Sequence, residues 1–230
     1  MSSRREFVRL AAAGFSLAAA RAYSKDRTAD EALRDLIRGN ERFAKGSPTS
    51  LRRRPEDFRA VAEAQYPEAV VVSCADSRVA PEILFDVGIG DIFVVRVAGN
   101  VIGGAGVSVK GSIEYAIAEL HVPLIVILGH SGCGAVKSAI KHMEAKDALP
   151  GAIDGLVELV KPAVAKSRAM AGDPLENAIR MNVELGVERL RGLEPILAPR
   201  VKDGNLKITG GVYDLRTGVV SFVQAGLSRG

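Results

Sequence analysis

Residues 124–134 read Leu-Ile-Val-Ile-Leu-Gly-His-Ser-Gly-Cys-Gly, and this stretch decides the fold class. Its first five residues are all apolar and rich in β-branched side chains, which is typical of a strand buried on both faces of a parallel sheet. The glycine-rich segment that follows predicts a turn at the carboxyl end of the strand, and a helix follows Gly134. The stretch therefore predicts a strand–turn–helix unit of an α/β domain.

Two further apolar runs of the same kind lie upstream, at Ala69–Ser73 and Ile92–Val97. Helical patterns separate the second and third strands, at 106–120. Alternating strands and helices predict a central, mostly parallel sheet with helices on its faces. Residues 206–224 read as strand, turn and strand, so we expect an antiparallel hairpin at the carboxyl-terminal edge of the sheet.

Other segments predict helices outside this alternation. Thr28 and the acidic residues after it are a helix-start signal, and that helix could cover a partner subunit. Pro55 fits the first position of a second helix, which should run to about Gln65. Residues 151–199 look mostly helical, with a break at Gly172–Pro174.

The composition fits one ordinary globular domain. The chain has 230 residues, of which 47% are hydrophobic and 25% charged, and this excludes disorder and coiled coil. Its two cysteines exclude a disulfide-stapled scaffold. Residues 1–22 account for three of the four net positive charges. Beyond Arg52–Arg54 the remainder has no basic cluster, so we expect no nucleic-acid partner.

Residues 1–22 have the layout of a cleavable export signal. Arg4 and Arg5 precede the apolar run Leu10–Ala20 and a small-residue cleavage pattern. The run is too short to span a bilayer, and the paired arginines resemble a twin-arginine signal. An amphipathic basic helix is the alternative, although the run contains a single serine as its polar residue. We expect the mature protein to be a single domain, residues 23–230, that is periplasmic or secreted. We expect it to contact the export machinery during secretion and to have no membrane contact in its mature form.

Both cysteines come directly after a predicted buried strand. Cys74 follows the first strand, and Cys133 follows the third, with His130 three residues before it. Ligand sites of open α/β sheets collect at the carboxyl ends of strands, so we expect the three side chains to converge. Two thiolates and one imidazole suit zinc, and a set of only three favours a catalytic site with room for water. A disulfide, or two buried apolar cysteines, are the alternatives.

Two charged residues follow the first cysteine, in the order Cys74-Ala-Asp76-Ser-Arg78. In an extended segment the spacing of two places all three side chains on one side. The Asp76 carboxylate could bind the metal or accept a hydrogen bond from its water, and Arg78 is the natural bidentate partner of that carboxylate. A surface ion pair of little energetic value is the alternative.

The order of these motifs resembles that of the β-class carbonic anhydrases. The resemblance extends from Glu31 to Gln224 and includes Cys-x-Asp-x-Arg at 74–78, residues 93–100, and His-x-x-Cys at 130–133. It implies reversible hydration of carbon dioxide to bicarbonate and a proton by zinc-bound hydroxide. It also implies a homodimer or larger homo-oligomer as the active unit.

The resemblance assigns roles to individual residues. One zinc ion per chain would have Cys74, His130 and Cys133 as ligands, and Asp76 and Arg78 would form a catalytic dyad that orients the hydroxide. In the family the aspartate can also take the fourth zinc position, which closes the site and inactivates it.

The chain departs from the family pattern at one position. Some members have a second bicarbonate site that uses a tryptophan three residues before the first cysteine, where this chain has Val71, although Arg96 is present. We therefore do not expect that inhibitory site. Some members convert carbonyl sulfide or carbon disulfide with the same motifs, so a hydrolase is an alternative function. A structural zinc module or binding protein is a third.

Overall fold

The computed structural model describes residues 27–49, 52–104 and 106–223. Within them five strands form one sheet in the order β2-β1-β3-β4-β5, with the first four parallel and the last antiparallel to β4. The strands are β1 (Ala69–Ser73), β2 (Ile92–Arg96), β3 (Leu124–His130), β4 (Lys207–Tyr213) and β5 (Val220–Val223). The predicted α/β class, with its mostly parallel sheet and antiparallel edge hairpin, is confirmed.

Helices cover both faces of the sheet. The described residues form α1 (Ala29–Ala44), α2 (Pro55–Phe58), α3 (Pro81–Leu84), α4 (Gly106–Ala118), α5 (Gly134–Ala145), α6 (Ala152–Ser167), α7 (Pro174–Arg191) and α8 (Leu197–Lys202). Side chains of a strand alternate between the two faces, so Val70 and Val72 pack with Val183 of α7, whereas Val71 packs with Leu36 of α1. The sheet therefore lies between two apolar layers.

The first helix packs two of its apolar residues into the core of its own domain. The Thr28 hydroxyl accepts the backbone N–H of Glu31 and completes the predicted helix start. Ala32 and Leu36 of α1 are fully buried against β1 and β3 of the same chain. This part of its apolar face therefore belongs to the core of its own domain, and contact of the helix with a second subunit stays a prediction.

One predicted helix is shorter than expected, and one short helix was not predicted. The helix that begins at Pro55 ends at Phe58 and continues as a 3₁₀ turn over Arg59–Val61, well before Gln65. It buries no residue, and a short helix without a buried stripe has little to stabilise it in water. The helix Pro81–Leu84 was not predicted, and it buries two of its four residues.

The break predicted at Gly172–Pro174 is confirmed. The chain leaves α6 after Ser167, and α7 begins at Pro174. The Asp173 carboxylate caps α7 by accepting the backbone N–H of Glu176 at 2.9 Å.

The predicted export signal, residues 1–22, lies outside the described residues. None of the helices in the described ranges is long and apolar enough to cross a membrane.

Candidate metal centre

The three predicted metal ligands meet at the carboxyl edge of the sheet. Strands β1 and β3 are parallel neighbours at its centre, so their carboxyl ends lie side by side. Cys74 follows β1, His130 is the last residue of β3, and Cys133 is the cap residue of α5. Both sulfur atoms and a ring nitrogen of His130 lie within 4.8 Å of one another, and all three residues are buried.

The His130 ring has one nitrogen in use and one without a partner. Its Nδ1 lies 3.0 Å from the Ser131 carbonyl oxygen, which can only accept, so Nδ1 carries the proton. Its Nε2 is buried and has no hydrogen-bond partner. A buried lone pair without a donor is costly, and a metal ion beside two thiols removes that cost. The residues present therefore fit a zinc ion.

The two thiols influence each other strongly. A hydrogen bond from Cys133 is the main cause that lowers the pKa of Cys74 to about 4, helped by the nearby His130 ring and by backbone N–H groups and opposed by burial. Those backbone donors belong to Gly99, at 3.2 Å from Cys74 Sγ, and Asp76, at 3.4 Å. The same pairing with Cys74 raises the pKa of Cys133, and burial adds to it. The two sulfur atoms are therefore close enough for a bound cation to take the place of the hydrogen bond between them.

Asp76 stands beside the cluster and is held by Arg78. Nε and Nη2 of Arg78 donate to the two carboxylate oxygens at 2.9 and 2.7 Å, and the Arg78 backbone N–H donates at 3.0 Å. These donors hold the pKa of Asp76 well below its usual range. Asp76 Oδ2 lies 3.8 Å from His130 Nε2. Among the described residues, the cluster of possible metal ligands consists of Cys74, His130 and Cys133 and does not include Asp76. The carboxylate therefore faces the cluster without closing it.

Sequence reasoning missed two residues that support the ligands. The Arg96 guanidinium donates to the backbone carbonyls of Asp76 at 2.7 Å and Cys74 at 3.3 Å. Gly99 supplies the N–H that faces the Cys74 sulfur. The signal that could have found both is their place at the carboxyl end of β2, where Arg96 is the last strand residue and Gly99 follows three positions later, at the same edge of the sheet as Cys74. Val71, at the family's tryptophan position, is fully buried in the core.

The fold and the site together define an α/β protein with a Cys₂His metal centre at the carboxyl edge of its sheet. A family model described as carbonic anhydrase matches residues 69–220, more than half of the chain. The chain is 41% identical over 187 residues to carbonic anhydrase 2 of Mycobacterium tuberculosis, covering 81% of this chain and 89% of the relative. The carbonic anhydrase of Mycolicibacterium smegmatis is 40% identical over 192 residues, covering 84% and 90%. The chain therefore belongs to the β-class carbonic anhydrase family, and the resemblance is confirmed.

Solved structures agree with this assignment. The β-carbonic anhydrase CcaA superposes with a TM-score of 0.65 at 28% identity, covering 83% of this chain and 98% of that one. A structure from a pair of tetrameric β-carbonic anhydrases of Sordaria macrospora gives 0.65 at 26% identity, covering 84% and 96%. As a member of this family the chain is an enzyme of the lyase class.

Proposed function

We propose that this enzyme catalyses the reversible hydration of carbon dioxide to bicarbonate and a proton, with one zinc ion per chain. Cys74, His130 and Cys133 hold the ion. The buried cluster with its unpartnered imidazole nitrogen carries the proposal, in a chain of the carbonic anhydrase family.

When bound, a zinc ion lowers the pKa of a water molecule and supplies the nucleophile near neutral pH. The two thiolates of this site add two negative charges, so they weaken that effect relative to a site with three histidines, where the water pKa is about 7. We therefore expect activity to rise on the alkaline side of neutrality.

Asp76 orients the nucleophile. Its carboxylate stays ionised at neutral pH because the Arg78 donors favour the charged form. It accepts a hydrogen bond from the O–H of the nucleophile, which turns an oxygen lone pair towards the carbon atom of the substrate. Arg78 donates to both carboxylate oxygens and holds them beside the cluster, with Oδ2 3.8 Å from His130 Nε2, without letting them join it. This geometry supports a site in which the fourth zinc position is free for water rather than taken by Asp76.

Zinc content and a stopped-flow assay test the proposal. Purified protein should contain about one zinc ion per chain and hydrate carbon dioxide with a rate that rises with pH. Hydrogen sulfide release from carbonyl sulfide or carbon disulfide, with no hydration of carbon dioxide, would make the chain a hydrolase. Stoichiometric zinc without either activity would make it a structural or binding module.

We propose that the active unit is a homodimer or a larger homo-oligomer. On the described surface, α4 exposes Val107 to 88% and Tyr115 to 49%, and α4 packs beside β2, an edge strand of the sheet. Large exposed apolar patches mark protein contacts, and Val107 and Tyr115 on one helix beside an open sheet edge are the residues that we assign to such a patch. The tetrameric state of the Sordaria relatives supports the same conclusion.

We also propose that the protein is exported and acts in the periplasm or outside the cell. The support is the pattern of residues 1–22, with paired arginines ahead of a short apolar run. Export by a twin-arginine route carries folded proteins, which suits a metal site assembled before export.

A further inference from the structure

A turn after β2 brings a backbone N–H to the metal centre. Gly99 lies in the 3₁₀ turn Ala98–Asn100, and its N–H donates to Cys74 Sγ at 3.2 Å. The carbonyl oxygen of Gly99 accepts a hydrogen bond from the Asn182 side chain at 2.8 Å. Asn182 belongs to α7 and is 83 positions further along the chain. One side chain therefore holds the residue that contacts the metal ligand.

The turn needs support from outside. Gly99 and Asn100 both have positive φ values, +68° and +44°, so two successive residues lie in the left-handed region. The space around Gly99 is also small, because a Cβ at this position would lie 3.1 Å from Ala135 Cβ. A small rotation of this turn would move the Gly99 N–H away from the sulfur.

Asn182 is a buried polar residue on an otherwise apolar face of α7, and its side-chain amide donates to the Gly99 carbonyl. Asn182 is only 8% exposed, and its sequence neighbours on the same helix face, Ile179 and Gly186, are apolar or without a side chain. A buried amide costs free energy unless it is hydrogen-bonded. A polar side chain within an apolar stripe therefore depends on the bond to the Gly99 carbonyl.

We propose that Asn182 is a positioning residue of the metal centre: by holding Gly99, it keeps the N–H···S hydrogen bond to Cys74 in place and so raises the affinity of the site for zinc. An N–H donor favours the thiolate, which is the form of cysteine that binds a metal, and it lowers the energy of the sulfur lone pairs. Outer partners of metal ligands typically change metal affinity by about 10–100-fold when they are removed. The inference rests on the zinc site of the proposed function.

Three Asn182 variants and one control test the role. Asn182→Ala removes the donor, Asn182→Asp keeps the shape but replaces the donor with an acceptor, and Asn182→Ser keeps a shorter donor. Asn177→Ala is the control, since Asn177 lies on the same helix and donates to the carbonyls of Met170 and Ala171 instead. The measurements are zinc affinity by competition with a chromophoric chelator and the sulfur-to-metal charge-transfer band of the cobalt(II)-substituted protein.

We expect Asn182→Ala and Asn182→Asp to bind zinc about 10–100-fold more weakly and to shift the cobalt band to lower energy, because a thiolate without its N–H donor gives up an electron more easily. Asn182→Ser should lie between these and the unaltered protein. Asn177→Ala should change neither quantity. An unchanged band in the Asn182 variants, an equal shift in Asn177→Ala, or failure of all three Asn182 variants to fold would overturn the inference. Absence of zinc from the unaltered chain would instead overturn the proposed function.

Discussion

At the metal centre, hydrogen bonds with neighbouring groups fix the orientation of the His130 ring and the Asp76 carboxylate. Ser131 occupies Nδ1 of His130, so Nε2 keeps its lone pair. Arg78 holds the carboxylate of Asp76 in a fixed plane beside that ring. Sites built from side chains locked in this way keep their geometry without the reactant.

Loss of any ligand should abolish zinc binding. Cys74→Ser, His130→Ala and Cys133→Ser each remove one of three ligands, and the described residues offer no buried replacement within the cluster. Metal analysis after dialysis should find less than about a tenth of the zinc of the unaltered protein, in line with the 10–100-fold effects seen even for outer partners. Ser131→Ala is a fitting control, since the carbonyl that holds His130 is retained.

Asp76→Ala and Arg78→Ala should both be slow, for opposite reasons. Without Asp76 zinc is retained but nothing orients the nucleophile, and carbon dioxide hydration should fall by about 10²–10⁴-fold. Without Arg78 the freed Asp76 carboxylate should join the metal ligands and block the site, most strongly at low pH. Zinc X-ray absorption near pH 7 should show a bound carboxylate only in Arg78→Ala. Equal spectra for the two variants, or unchanged activity of Asp76→Ala, would refute the dyad mechanism.

At the scale of elements, helix and strand ends supply the electrostatics of the site. Cys133 caps α5, and the N–H groups of Ala135 and Val136 in its first turn lower the pKa of that thiol against the larger effect of Cys74. A helix amino terminus stabilises a negative charge, here the thiolate that a metal ligand requires. At the amino end of β1, on the opposite side of the sheet from the metal centre, the charged group is Glu68.

Glu68 directly precedes β1 and pairs with Arg27. Burial raises the pKa of Glu68 to about 7, and the carboxylates of Asp91 and Asp35 add to this against the opposing effect of Arg27. The folded protein therefore holds this proton to a higher pH than the unfolded chain, whose value is near 4.5. The free energy of unfolding should fall as the pH rises from about 4.5 to about 7.

Glu68→Gln should remove this part of the pH dependence. The expected change between pH 5 and pH 8 is on the order of 2 kcal/mol, since one pKa unit corresponds to about 1.4 kcal/mol. Urea unfolding of the zinc-free protein at the two pH values measures it. Glu63→Gln, an exposed position in the same segment, should leave the dependence as it is. An equal pH dependence in Glu68→Gln and the unaltered protein would contradict the raised pKa.

At the scale of the whole molecule, we expect the surface of α4 to decide assembly and the amino-terminal segment to decide location. The domain buries Ala32 and Leu36 of α1 within itself and leaves Val107 and Tyr115 of α4 exposed. The basic run Arg52–Arg54 is used within the described domain, since Arg52 pairs with Asp91 and Arg53 donates to backbone carbonyls.

Charging the exposed face of α4 should separate the subunits. Val107→Glu combined with Tyr115→Glu places two buried charges in the proposed contact, a change that is strongly unfavourable for association. Sedimentation velocity should show a monomer, and carbon dioxide hydration should fall with it. Ile153→Glu, on an apolar residue of α6 that is about as exposed as Tyr115, should stay associated and active. A fully active monomer at the assay concentration would count against the oligomer proposal.

Replacing Arg4 and Arg5 together by lysine should block export, because a twin-arginine signal is read through the arginine pair. Cell fractionation should then find the unprocessed chain in the cytoplasm, whereas the unaltered protein should be exported and shortened at about residue 22. Arg9→Lys, which leaves the pair intact, is the control. Normal export of the double variant would disprove the twin-arginine assignment.

The sequence by itself determined the strand–helix alternation and the grouping of Cys74, His130 and Cys133. Buried parallel strands have a distinct composition, and residues just after neighbouring strands must lie at one edge of the sheet. The Asp76–Arg78 pairing was also predictable, because the two residues are two positions apart.

Only the tertiary structure decided the contacts made by residues distant in the sequence. Asn182 of α7 donates to the Gly99 carbonyl, and Arg96 donates to the backbone carbonyl of Asp76. It also decided that Glu68 is buried near other carboxylates and that α1 packs on its own sheet. Local sequence patterns indicate whether an element is a helix or a strand and where it begins and ends. The side chains that meet across elements depend on how the elements pack, which no short stretch of sequence encodes.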